Sequence, residues 1–286
     1  MRYISFRIGG RASYGVVRDG SIVDLGARLG DLLPDLRHYL DALSRGFQPP
    51  QMPGLWEDYD IDDVEYAPVV QPRKIVCIGL NYRTHRDEMG RAESAYPTLF
   101  SRWPDTLLGH GAAIVRPQVS TQLDYEGELA VIIGRPAYRV PREKAFDVVA
   151  GYACFNDASL RDWQRHTHQF LPGKNFPATG PLGPHLVTPD EVGPLEGLSI
   201  ETRLNGAVVQ SAVLDDMIFP VDALIAYISA FTRLAPGDVI ATGTPGGVGF
   251  KREPPLFMKP GDAVEVTIER VGQLRNTIID ESAPEA

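Results

Sequence analysis

Between Asp124 and Lys174 the chain sets charged side chains directly against apolar runs. The segment DYEGELAVIIG places Asp124, Glu126 and Glu128 at alternate positions just before an apolar stretch. Residues two apart on a strand share a face and stand roughly 6 to 7 Å apart along it. Acids facing one way repel one another and are costly to bury unless a cation or positively charged partners lie between them. A divalent metal is the expected partner. Hard cations such as Mg²⁺, Mn²⁺ or Ca²⁺ take oxygen ligands, and Mg²⁺ usually keeps several waters, which leaves positions for substrate oxygens. Glu126 and Glu128, joined by Asp157 from FNDASLRDWQ, fit that pattern. An alternating Glu pair alone is more often the pattern of a solvated strand face. What favours the metal is the neighbourhood, a long apolar run following Glu128 and a second one ending at Asp157.

Other constellations carry less. His166 and His168, one residue apart, lack a third nitrogen or sulfur ligand at recognisable spacing, and HExxH is absent, so zinc is not expected. His85 and Glu88 in HRDE are three apart, a spacing at which a helical turn lets a carboxylate orient an imidazole or share its proton, though a plain surface pair has the same spacing. ATGTPGGVG matches neither GxGxxG nor the P-loop; it reads as a tight turn between strands, a backbone that approaches a small ligand closely, or both. GxSxG is missing, which removes a serine-hydrolase elbow.

The elements that must position these groups follow from periodicity and turn residues. With 286 residues and 43% hydrophobic content the chain can bury a sizeable core, as one large domain or one large and one small. The net charge of -9 argues against a general nucleic-acid surface. Two cysteines, Cys77 and Cys154, lie among apolar neighbours without ligand spacing and are expected to be reduced core residues. No stretch reads as a signal peptide or membrane span, so a cytoplasmic location without membrane partners is the default expectation. Residues 1–25 read as short antiparallel strands with Asp19-Gly20 as a turn, and Leu36, Tyr39, Leu40 and Leu43 share a helical face. The polar stretch from Gln48 to Pro72 reads as a linker, which puts a small N-terminal α+β domain at 1–70 and a larger, mainly β domain at 71–286. In the larger part, KIVCIG, LAVIIG and VVAGYACF are buried strands, and the polar segment after KIVCIG is a short helix or mobile loop. Asn205-Gly206 is a tight hairpin, Leu224, Ile225, Ile228 and Phe231 form a helical face, and Val264, Val266 and Ile268 alternate as a half-buried strand.

The ordered motifs KIVCIGLNYRTHRDEMG, LDYEGELAVIIG, GYACFNDASLRDWQ, PGKNF, GPLGPHLVT, LNGAVVQ, PGDVIATGTPGGVG and KPGDAVEVTIERVGQLRN, from about residue 72 to about 277, resemble the fumarylacetoacetate hydrolase family. The resemblance implies an α+β, mainly β fold with a mixed β-roll or sandwich-like catalytic domain, in a homodimer that binds Mg²⁺ or Mn²⁺. By motif it implies Glu126, Glu128 and Asp157 as metal ligands, with Asp124 outside the set. His85 and Glu88 match the lid dyad that activates water, and Lys174 matches the lysine near the substrate. Gln164, Gly243 and Thr244 fall at substrate-contact positions. Arg102 in LFSRW is read, from its chemistry, as a guanidinium that grips a substrate carboxylate. The implied reaction is hydrolysis of a 2,4-diketo acid: water activated by His85 attacks the 4-carbonyl, and the metal and Lys174 stabilise a pyruvate-type enolate. Decarboxylation of oxaloacetate, keto–enol isomerisation and a catalytically idle metal-binding scaffold are the alternatives.

Overall fold

In the computed structural model, residues 1–49, 58–92 and 94–282 are described. Strands β1 (Arg2–Ile8), β2 (Arg11–Arg18) and β3 (Ser21–Asp24) form an antiparallel meander turned at Asp19-Gly20, followed by helices α1 (Leu25–Leu29) and α2 (Leu36–Ser44). Asp35 caps α2 by accepting the His38 N–H, and the face bearing Leu36, Tyr39 and Leu40 is buried. The expected linker differs from the structure over its described part. Strand β4 (Tyr59–Asp60) pairs with β3 and β5 (Glu65–Tyr66) with β1, so this stretch completes the N-terminal strands. Residues 50–57 of that reading lie outside the described residues.

The rest supplies strands β6 (Ile75–Gly79), β7 (Thr98–Arg102), β8 (Leu107–Leu108), β9 (Ile114–Arg116), β10 (Leu123–Asp124), β11 (Gly127–Ile133), β12 (Val149–Asn156), β13 (Ser159–Leu160), β14 (Gly180–Val187), β15 (Ser199–Leu204), β16 (Ala207–Val213), β17 (Val239–Ala241), β18 (Ala263–Ile268) and β19 (Gly272–Asp280). Helices α3 (Arg83–Glu88), α4 (Arg161–Gln164), α5 (Leu171–Lys174), α6 (Pro189–Val192) and α7 (Val221–Phe231) punctuate them. One mixed sheet runs β4-β3-β2-β1-β14-β12-β11-β17-β6-β7, with β5 and β8 beside it, and a five-stranded sheet runs β16-β15-β18-β19-β9. Tyr3 of β1 pairs with Leu186 of β14, so the N-terminal strands share the central sheet.

The continuous apolar run of β11 is explained by cores on both its faces. Leu129, Val131 and Ile133 point into one, filled from the five-stranded sheet by Ile200, Val266 and Ile268 and from α7 by Leu224, Ile225 and Ile228. Ala130 and Ile132 point into the other, with Leu36, Tyr39 and Leu40 of α2. Cys77 and Cys154 are free and buried, and burial pushes the Cys154 thiol up to about 12. Among the described residues no helix is long and apolar enough to cross a membrane.

Candidate active site

The central sheet frays where β11 and β12 begin to part, and the site is built there. Gly127 pairs with Asn156 and Glu128 with Phe155, so the next residues outward, Glu126 and Asp157, end up side by side, linked by the Asp157 N–H donating to the Glu126 carbonyl. Two-residue periodicity keeps Glu126 and Glu128 on one face. It does not extend to Asp124, because β10 leaves this sheet to pair with β13. Glu126, Glu128 and Asp157 are buried, with one ligand oxygen from each lying within 4.8 Å of the others. Asp124 instead accepts from Arg161 Nε at 2.8 Å and from the Gly249 and Phe250 N–H groups at 2.8 and 3.0 Å.

Three buried cations face these acids. Lys174 Nζ lies 2.6 Å from both Glu126 Oε2 and Asp157 Oδ2. Arg161 bridges Asp124 and Glu126, the latter at 2.6 Å. Arg102 Nη1 lies 2.6 Å from Asp157 Oδ1. Four acids against three cations leave one negative charge over, and it falls at Glu128, whose Oε2 accepts the Gly243 N–H at 2.9 Å. Burial, then Asp157 and Glu126, push the Glu128 carboxyl well above its ordinary value. Burial also works against the Glu126 charge, but Arg161 and Lys174 outweigh it and hold that carboxyl down to about 2. For Lys174, burial opposes the ammonium, yet Asp157 and Glu126 keep it above its ordinary value. An oxygen-only donor set with one uncompensated carboxylate fits a hard divalent cation, which would neutralise Glu128 where no side chain does.

His85 and Glu88 come from α3. Its entry is pinned by Asn81, whose Nδ2 donates to the Thr242 and Phe219 carbonyls, and by Thr84, whose N–H and hydroxyl donate to Asp216. One helical turn brings His85 Nδ1 to 3.1 Å from Glu88 Oε2, and Glu88 accepts the Gly247 N–H at 3.2 Å. His85 is 5% exposed and lines a cavity of about 190 Å³ together with Glu126, Glu128, Lys174, Gln164 and Thr244. Of the expected residues, His85, Glu126, Glu128, Lys174, Gln164 and Thr244 thus share one space, while Glu88 and Asp157 stand behind its wall, bonded to His85 and Lys174.

Two expected substrate contacts are placed elsewhere. Arg102 is 1% exposed and spends its donors on Asp157, the Ala158 carbonyl, Thr179 and Thr106, so it grips a carboxylate of the protein and lies behind the cavity. Gly243 gives its N–H to Glu128; with φ +96° and a would-be Cβ 2.8 Å from Asn81 Cβ, it allows the close approach that this bond needs. His166 and His168 take no part in a ligand cluster among the described residues. Sequence reasoning missed Arg161. It lines the cavity, and its Nη2 is a buried atom without a hydrogen-bond partner. Its signal was electrostatic: four buried acids demand more cations than Lys174 alone, and Arg161 sits between Asp157 and Gln164.

Residues 74–279 match the family model for the C-terminal domain of fumarylacetoacetate (FAA) hydrolase. Oxaloacetate tautomerase YisK of Bacillus subtilis is 44% identical over 225 residues, which is 77% of this chain and 75% of that protein. The fumarylacetoacetate hydrolase structure from Exiguobacterium antarcticum superposes with a TM-score of 0.83 at 35% identity, over 98% of this chain and 100% of that one. Maleylpyruvate hydrolase from Sphingobium sp. SYK-6, in complex with manganese (II) ion and pyruvate, gives 0.81 at 29% identity, over 99% and 100%.

Proposed function

The chain belongs to the fumarylacetoacetate hydrolase family, and on that premise we propose that it interconverts the keto and enol forms of a small 2-oxo acid of the oxaloacetate kind, with Mg²⁺ or Mn²⁺ as cofactor. One observation carries the reading: a single cavity holds the carboxylates Glu126 and Glu128, the cations Lys174 and Arg161, and the Glu88-supported His85. A divalent cation held by Glu126, Glu128 and Asp157 would supply Lewis-acid chemistry at the carboxylate and 2-oxo oxygens of the acid. Arg161 meets the substrate carboxylate with its free Nη2. Lys174 offsets the negative charge that grows on the 2-oxygen as a proton leaves C3. His85 carries that proton: Glu88 accepts from Nδ1–H and leaves Nε2 as the basic nitrogen. Burial of His85 limits exchange of the proton with bulk water.

The Bacillus subtilis relative supports tautomerisation. The likeness to maleylpyruvate hydrolase supports a second reading, in which the dyad activates water for cleavage of an acylpyruvate to pyruvate and an acid. Decay of the enol absorbance of oxaloacetate, with and without Mn²⁺, tests the first, and pyruvate release from acetylpyruvate tests the second. Metal-dependent acceleration of enol decay that disappears in Glu126→Ala is expected. Enol decay at the buffer rate with Mn²⁺ present overturns the proposal. A homodimer belongs to the same reading, and sedimentation checks it.

A further inference from the structure

We infer that Arg91 and Arg165 form a clamp for a second carboxylate and so select 2-oxo acids carrying an acid group at each end. The inference rests on the proposed chelation of a 2-oxo acid at the carboxylate triad, and it adds residues that no motif assigns. Three spaces meet above the site: the inner cavity of about 190 Å³ and two outer ones of about 540 and 490 Å³. Arg91 and Arg165 are the two residues that line all three. They therefore stand at the mouth of the inner cavity, within reach of one small molecule whose other end lies against Glu126, Glu128 and Lys174.

Both side chains are positioned by local structure. Helix α3 ends in a Schellman turn, with Gly90 at φ +63° donating to the Asp87 carbonyl and Arg91 donating its N–H to the Arg86 carbonyl at 3.0 and 3.1 Å. That turn sets Arg91 directly after the lid dyad. Arg165 follows α4, four residues after Arg161, and the two guanidiniums pack on the same Phe250 ring with Cζ 4.2 and 4.6 Å from its centroid. Among the described residues neither Arg91 nor Arg165 forms an ion pair. Arg161, farther in, is matched by Asp124 and Glu126, whereas the two guanidiniums at the mouth add positive charge without an acid paired to either among the described residues. Such an arrangement draws in an anion and, by its fork of donors, suits a carboxylate.

Calorimetric titration of the Mn²⁺-loaded full chain with pyruvate and with 2-oxoglutarate tests the clamp without turnover. The two acids share the chelating head, and only 2-oxoglutarate adds a far carboxylate. Wild type is expected to bind 2-oxoglutarate at least tenfold more tightly than pyruvate. In the double variant Arg91→Ala/Arg165→Gln the ratio of the two dissociation constants falls to within threefold of one, and each single variant lies between. Pyruvate binding with no gain from the second carboxylate, or a gain that survives in the double variant, overturns the clamp alone. Failure of both acids to bind wild type overturns the chelation reading and the clamp with it.

Discussion

Replacing Arg102 with Met separates a residue that meets substrate from one that holds a ligand in place. Arg102 donates four hydrogen bonds, to Asp157 Oδ1 and Thr179 Oγ1 at 2.6 Å, to the Ala158 carbonyl at 3.0 Å and to Thr106 Oγ1 at 3.4 Å. Methionine fills much of the volume but leaves the Ala158 carbonyl and one oxygen of Asp157 without this donor. Breaking one side of a buried ion pair costs about 3 to 5 kcal/mol. Asp157 keeps Lys174 at 2.6 Å, which places the loss toward the lower end of that range. For a chain of this size the corresponding fall in Tm is about 6 to 10 °C, measured by thermal unfolding. Because the residue orients a candidate ligand carboxylate, Mn²⁺ affinity falls about 10- to 100-fold by calorimetry, the usual cost of losing an outer partner of a metal ligand. At saturating Mn²⁺ the KM for the 2-oxo acid stays near wild type. An unchanged Mn²⁺ affinity together with a raised KM would refute this reasoning and restore Arg102 to the substrate.

Three further outcomes are expected. Glu128→Gln stabilises the chelator-treated protein at neutral pH: the folded carboxyl is held above its unfolded value, so stability falls as pH rises past the unfolded range, and the amide removes that loss. The same variant loses the rise in Tm that Mn²⁺ produces in wild type, and both effects are read in one thermal scan series. His85→Ala lowers turnover by about 10²- to 10⁴-fold, the usual contribution of a positioned acid–base group, with Mn²⁺ affinity near wild type; full turnover in this variant contradicts the proton-carrying role. His185 is half-buried with both ring nitrogens buried and without hydrogen-bond partners, and it is pushed down to about 4 by burial and then by Arg2 and His110. The unfolded chain takes that proton near 6.5, so stability is complete above this pH and declines by up to about 3 kcal/mol toward pH 4. In His185→Phe, urea titrations from pH 7 to pH 4 show a flatter decline.

Local rules carried far into this fold. The β15–β16 turn falls at Asn205-Gly206 with φ of 51° and 80°, and β18 buries Val264, Val266 and Ile268 alternately. The helix holding His85 and Glu88 follows the apolar strand β6 as the polar segment suggested. What stayed hidden depends on long-range pairing. Nothing within residues 1–24 shows that β1 borders β14, and the strands β4 and β5 inside the expected linker escape notice because two-residue strands carry no periodicity of their own. The site was legible as residue types and obscure as directions. Arg102 and Arg161 have the same chemistry in the sequence; burial among Asp157, Thr179 and Thr106 takes one away from the cavity, while the other lines it and retains an unpartnered Nη2.

The glycine-rich segment after β17 bears on how this scaffold could be altered. Its amides reach three separate carboxylates: Gly243 donates to Glu128, Gly247 to Glu88 and Gly249 to Asp124, which in turn holds Arg161. A one-residue insertion there would displace the candidate ligand, the lid dyad and the anchoring arginine together. The mouth formed by Arg91 and Arg165 shares none of those bonds. An engineer wanting a new substrate range would therefore randomise the mouth and leave the glycine segment at fixed length, since the first changes one property at a time and the second changes three at once.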